Sequence, residues 1–297
     1  MTKHVLSALF DAARALLRDF GALLALALLY AALVAAAVVF VTTREASAFQ
    51  LALTALSAVA APLLFFAVAA AVAAYAVGES RPGGVIRRAL ASFLQVLTVS
   101  LPVIALAVGT VWAMNKLESR VKHDPRDEAG AQYSAPAADE EGGDAAEQPP
   151  RPKPPVRWAY VFYSALRLLL LGVFLPLVAV HLWIATVRDG LGGALRGVHR
   201  VVARAFSARA VFTYAVGMIV FALVPYFLII KRTSAGAGWL ELSLISARLL
   251  AAFALTLFGF AVTTAALARH DGPNADPSPA RPPDALPRPA EPASVTS

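Results

Sequence analysis

Residues 21–43 read GALLALALLYAALVAAAVVFVTT, without a charged side chain. A helix rises about 1.5 Å per residue, so about 20 apolar residues cross the hydrocarbon core of a bilayer. Lipid offers no partner for peptide N–H and C=O groups, so such a block crosses as a helix that satisfies its own backbone. The same test picks out blocks within residues 46–78 and 89–115, and at 158–187, 210–230 and 239–268. The predicted fold class is all-α: a polytopic membrane protein with six transmembrane helices. Composition agrees, at 59% hydrophobic and 15% charged, against about 45–50% and 25% in soluble domains. The chain has no cysteine, which excludes disulfides, thiolate metal sites and cysteine nucleophiles.

The segment before the first block separates an anchor from a cleaved signal. A secretory signal has a short basic region and an apolar core of about 7–15 residues. Here Asp11, Arg14, Arg18 and Asp19 precede a block of full membrane length, so it reads as an anchor. Loop arginines and lysines set the orientation. Lys3, Arg14, Arg18, Arg81, Arg87, Arg88, Arg188, Arg196, Arg200, Arg204, Arg209, Arg269, Arg281 and Arg288 fall on one side. The opposite short loops hold Arg44, Lys231 and Arg232. The first side, with both termini, is expected to be cytoplasmic. The formal charge of +7 is spread beside the hydrophobic blocks rather than gathered in one patch. It reads as topology signals and contacts to anionic headgroups, not as a nucleic-acid surface.

The chain divides into a membrane region at 1–115, an extracytoplasmic loop at 116–157, a second membrane region at 158–269 and a cytoplasmic tail at 270–297. The loop has an acidic centre (Asp139, Glu140, Glu141, Asp144, Glu147) followed by Pro149, Pro150, Pro152, Pro154 and Pro155. Loop and Pro-rich tail lack the apolar residues to offset ordering entropy, and both are expected to be disordered.

Each pair of spans is introduced by a short amphipathic stretch, which predicts three hairpins, each preceded by a cytoplasmic interfacial helix. In the first stretch Leu6, Leu9, Phe10, Ala13, Leu16, Leu17 and Phe20 share helical spacing, and Ser7, Asp11, Arg14 and Arg18 occupy the other face. Such a helix suits the headgroup layer. The second runs Gly83-Gly84-Val85-Ile86-Arg87-Arg88. It resembles the third, Gly192-Gly193-Ala194-Leu195-Arg196-Gly197, beyond which Arg200 and Arg204 continue the basic face. Trp158 precedes Arg167 by the interval at which Trp239 precedes Arg248, a further echo of internal repetition.

Within the spans the charged residues are Arg167, Arg248 and Glu241, candidates because charge in hydrocarbon is costly. Two readings stand. The arginines can contact an anion or headgroup between spans four and six, where their planar forks suit phosphate. Alternatively they mark the outer boundary and snorkel outward, with Trp158 and Trp239 as interface anchors beyond them. The second carries more weight, because residues 168–187 and 249–268 are each long enough to cross alone. His181 lacks a second ligand at metal spacing and reads as a packing residue. Pro62, Pro102, Pro176 and Pro225 are kink positions. No phosphate-cradling Gly-Lys loop, HExxH, GxSxG or intramembrane aspartate pair occurs, so no catalytic residue, metal or cofactor is assigned.

The run Ala8-Leu9-Phe10-Asp11-Ala12-Ala13-Arg14-Ala15-Leu16-Leu17-Arg18-Asp19-Phe20-Gly21, with Gly-Gly-Val-Ile-Arg-Arg before span three, resembles the six-span bacterial membrane families related to the membrane domain of glycerophosphodiester phosphodiesterases. The resemblance implies an architecture in the bacterial inner membrane and no activity, since no soluble phosphodiesterase domain accompanies it. The expected function is non-enzymatic: organising or assisting membrane lipids or protein partners. The alternative is a small transporter or permease component.

Overall fold

A computed structural model describes residues 2–43, 47–122, 158–230 and 238–270. Arg44, Lys231, Arg232, most of the acidic loop and nearly all of the tail lie outside the described residues. Six helices are long and apolar enough to cross a membrane, and no strand occurs among the described residues. The chain is an all-α, multi-pass membrane protein.

The order is α1 (Thr2–Arg18), α2 (Phe20–Thr42), α3 (Ala48–Ala76), α4 (Pro82–Lys122), α5 (Trp158–Leu169), a π-helical turn (Leu170–Phe174) and α6 (Leu175–Arg196). Then come α7 (Val198–Ala205), α8 (Ala208–Met218), a second π-helical turn (Ile219–Leu223), α9 (Val224–Ile230) and α10 (Gly238–His270). The breaks follow local chemistry. Asp19, at φ −88° and ψ 55°, separates α1 from α2. Ser47 caps α3 by accepting from Gln50 N–H at 3.3 Å, and Ser207 caps α8 through Ala210 N–H at 3.2 Å. Gly78 ends α3 with φ 110°, a left-handed conformation open to glycine. Pro82 then opens α4, where its missing N–H has no consequence.

The amphipathic stretches differ from one another in the structure. The first is the separate helix α1. The third is set off by Gly190, whose φ of 73° breaks the path of α6, and it continues into α7. The second is instead the first turns of α4, which runs on without a break. Between Gly84 and Pro102 no glycine or proline interrupts it, so nothing turns the chain out of the helix.

Pro62 and Pro102 lie inside continuous helices, whereas Pro176 and Pro225 each follow a π-helical turn by two residues. A proline cannot donate to the carbonyl four residues earlier. For Pro176 that carbonyl belongs to Gly172, and Tyr214 of α8 donates its hydroxyl to it at 3.1 Å. A side chain of span five thus bonds a backbone carbonyl in the wide turn of span four.

The core is concentrated at one end. Residues 68–75, 179–187 and 261–268 are all buried, together with Val5, Leu9, Ala12 and Leu16 of α1. At this level Trp183 Nε1 donates to Ser100 Oγ at 2.8 Å. Phe65 and Phe260 meet the Trp183 indole edge-on at 6.0 and 6.4 Å. Alanines let the helices approach, as packing without a lipid-excluding driving force requires. Gly259 carries this furthest, since a Cβ there would overlap Phe221 Cβ. Toward the other end Leu56, Trp112, Trp158 and Trp239 are exposed.

Candidate functional site: the charged end of the bundle

The well-packed end is also where charge converges. Helix α1 closes it by packing against α2, α8 and α10. Its apolar residues divide into two stripes rather than the single face expected from spacing. Val5, Leu9, Ala12 and Leu16 turn inward, while Leu6, Phe10 and Leu17 point out, Phe10 being 68% and Leu17 62% exposed. Arg14 and Arg18 are exposed on the same helix. Helix α1 is therefore docked on its bundle and still presents apolar groups outward beside cations.

The α3–α4 turn and the end of α6 meet next to it. Arg88 Nη1 lies 3.4 Å from Glu79 Oε1, and Nη2 donates to the Val187 carbonyl at 3.2 Å. In an unbroken helix that carbonyl would accept from the N–H of Leu191, but Gly190 intervenes. Arg88, expected among the interfacial cations, is half-buried and joins α4 to α6; its neighbour Arg87 is exposed. The difference is one of helical phase, since Arg88 lies on the face that carries buried Val85 and Ser92.

Two cavities open here and share one wall residue. The larger, about 410 Å³, is lined by Asp19, Tyr75, Glu79, Ser80, Arg188 and Arg269 among others. Tyr75 stands with Asp19 and Arg269 in this wall. The smaller, about 190 Å³, lies under α7 and is lined by His181, Arg188, Asp189, Arg200 and Arg204 with Gly193 and Gly197. Arg188 Nε stands 3.9 Å from Asp189 Oδ2. His181 is buried, with Nδ1–H donating to the Leu177 carbonyl at 2.9 Å. The larger cavity balances carboxylates against guanidiniums and the smaller has an excess of guanidiniums, so the smaller is the better anion receptor.

All three arginines of the third stretch, Arg196, Arg200 and Arg204, are exposed; Arg200 and Arg204 also line the smaller cavity, and Arg196 lines neither. The candidates at the far end are held separately. Arg167 lies on α5, which packs against α4 and the adjoining π-helical turn. Arg248 on α10 donates to the Leu228 carbonyl of α9. Neither lines a cavity described here, nor does Glu241. Trp158 and Trp239 are exposed at that end, Trp239 by 83%. Sequence reasoning did not pick out Asp19, Glu79, Arg188, Asp189 or Arg269 as site residues. The available signal was an acidic residue beside each break: Asp19 between α1 and α2, Glu79 after Gly78, Asp189 before Gly190. Among the described residues no group of three His, Cys, Asp or Glu side chains is placed to hold a metal ion.

Two further cavities are apolar. One, about 560 Å³, lies between α2, α3 and α4, lined by Leu24, Leu28, Pro82, Ile86, Leu90 and Phe93 among others. The other, about 310 Å³, lies between α6, α8 and α10 beside the second π-helical turn, with Trp183, Tyr214, Thr263 and Thr264 in its wall. Compared with known protein families, curated proteins and solved structures, the chain matches none.

Proposed function

We propose that this protein is a non-enzymatic component of the bacterial inner membrane that organises or assists lipids or membrane partners. In this reading both termini are cytoplasmic and the charged end engages anionic headgroups. The observation that carries it is the split face of α1. A helix fixed to the bundle through Val5, Leu9, Ala12 and Leu16, yet presenting Leu6, Phe10 and Leu17 outward beside Arg14 and Arg18, suits the boundary between acyl chains and headgroups. The apolar groove between α2, α3 and α4 adds a surface on which an acyl chain can lie.

The test is lipid selectivity of the full chain in nanodiscs made with phosphatidylglycerol and phosphatidylcholine. Enrichment of phosphatidylglycerol around the protein is expected. Each exposed arginine near an anionic surface contributes about 1 kcal/mol, so the R14Q/R18Q variant should lose roughly tenfold or more of that selectivity. Equal retention of the two lipids by the unaltered protein would refute the reading.

The apolar cavity beside the second π-helical turn favours a second reading, a transporter or permease component, because helices broken beside a cavity are a transporter device. Solute counterflow in proteoliposomes would support it. The well-packed charged end and the separate surroundings of Arg167 and Arg248 weigh toward the first.

A further inference from the structure

We propose that the small cavity beneath α7 is a binding site for one phosphate group. The inference deepens the headgroup reading, on which it rests, by naming the ligand chemistry and the place.

The cavity has the chemistry of a phosphate receptor. Arg188 comes from the end of α6, and Arg200 and Arg204, one helical turn apart on α7, bring guanidiniums to the same space. A guanidinium presents its N–H groups in a planar fork that matches two phosphate oxygens. Asp189, the one carboxylate in the wall, already lies beside Arg188, so the cavity keeps a cationic excess. Its volume of about 190 Å³ suits a phosphate and a few waters rather than a whole lipid.

Two features indicate a shaped site rather than a stretch of basic surface. His181 lines the cavity although it is only 2% exposed. With Nδ1 committed to the Leu177 carbonyl, its remaining polar edge is Nε2. Burying a polar ring against an otherwise apolar stretch of α6 is costly unless that edge has a partner; in the neutral ring Nε2 accepts, so the partner is a water held by the phosphate or a protonated phosphate oxygen. Two glycines of the same wall, Gly193 and Gly197, stand where the chain is tightly packed on itself. A Cβ on Gly193 would lie 2.8 Å from Asp189 Cβ, and one on Gly197 would lie 3.3 Å from the Gly193 carbonyl. The kink at Gly190 then turns the chain so that α7 covers this wall with its arginines.

The phosphate can belong to a lipid headgroup or to a small soluble ion, and both are tested on the full chain. Binding of fluorescent phosphatidylglycerol in mixed micelles and of inorganic phosphate by equilibrium dialysis would be measured for the unaltered protein, R200Q/R204Q and R196Q/R209Q. The two variants lose equal charge from neighbouring surface positions, and only the first alters the cavity. Saturable binding of one phosphate group per chain is expected, with R200Q/R204Q weakened at least about tenfold more than R196Q/R209Q, whose loss is only that of two arginines near the anionic surface. Displacement of the lipid by millimolar inorganic phosphate supports a site for the free ion, and lipid binding that resists it supports a headgroup site. Equal weakening in the two variants would overturn the site while leaving the headgroup reading standing. Absence of any preference for phosphatidylglycerol over phosphatidylcholine would overturn that broader reading, and absence of saturable binding to either probe would overturn the site.

Discussion

Tyr214→Phe removes one hydroxyl and should reveal how the broken helix of span four is held. The Tyr214 hydroxyl donates to the Gly172 carbonyl at 3.1 Å, the carbonyl that Pro176 cannot serve. Interhelical hydrogen bonds inside membranes average about 0.6 kcal/mol and reach about 1.7. Here the ordinary intrahelical donor is missing, which puts the cost near the upper part of that range, about 1–1.5 kcal/mol. Restoring the donor should abolish most of it. In a Pro176→Ala background the new N–H can bond Gly172, and Tyr214→Phe should then cost less than about 0.5 kcal/mol. Reversible unfolding in mixed micelles titrated with sodium dodecyl sulfate would give all four corners of this cycle. Equal costs in the two backgrounds would refute the idea that span five supplies what the proline withholds.

Helix α1 offers a contrast between adjacent residues. Leu16→Ala, at a fully buried site, should lower stability by about 2–3 kcal/mol, whereas Leu17→Ala, 62% exposed, should change it by less than about 0.5 kcal/mol, both read by the same unfolding titration. At the close contact of α10 with span five, Gly259→Ala places a Cβ against Phe221 Cβ and should cost about 1–3 kcal/mol. Gly238→Ala, where no atom lies within 4 Å, should show no such penalty.

Six spans could be read directly because the cost of unpaired peptide groups in lipid turns length and apolarity into topology. The inward faces of those spans could not. Helix α2 is apolar all round, so nothing in its sequence separates buried Ala22 and Leu26 from exposed Leu24 and Leu28. The amphipathic spacing of α1 was legible, but spacing gives one apolar arc and cannot say how bundle and lipid divide it. Arg87 and Arg88 look equivalent as neighbours in a basic pair. A single residue of helical phase sends Arg88 to Glu79 and Val187 and leaves Arg87 outside. The smaller cavity was legible only in part. The spacing of Arg196, Arg200 and Arg204 was visible, whereas the fold over His181 depends on the backbone turn at Gly190, one glycine among several in that stretch.

The most direct test of the account is which way the charged end faces. The chain contains no cysteine, so single cysteines at Ser80, Ser207 and Ser119, all exposed, can report it through a membrane-impermeant maleimide applied to spheroplasts. Ser119→Cys should label in intact spheroplasts, while Ser80→Cys and Ser207→Cys should label only after lysis. Labelling of Ser80→Cys or Ser207→Cys before lysis would contradict the account.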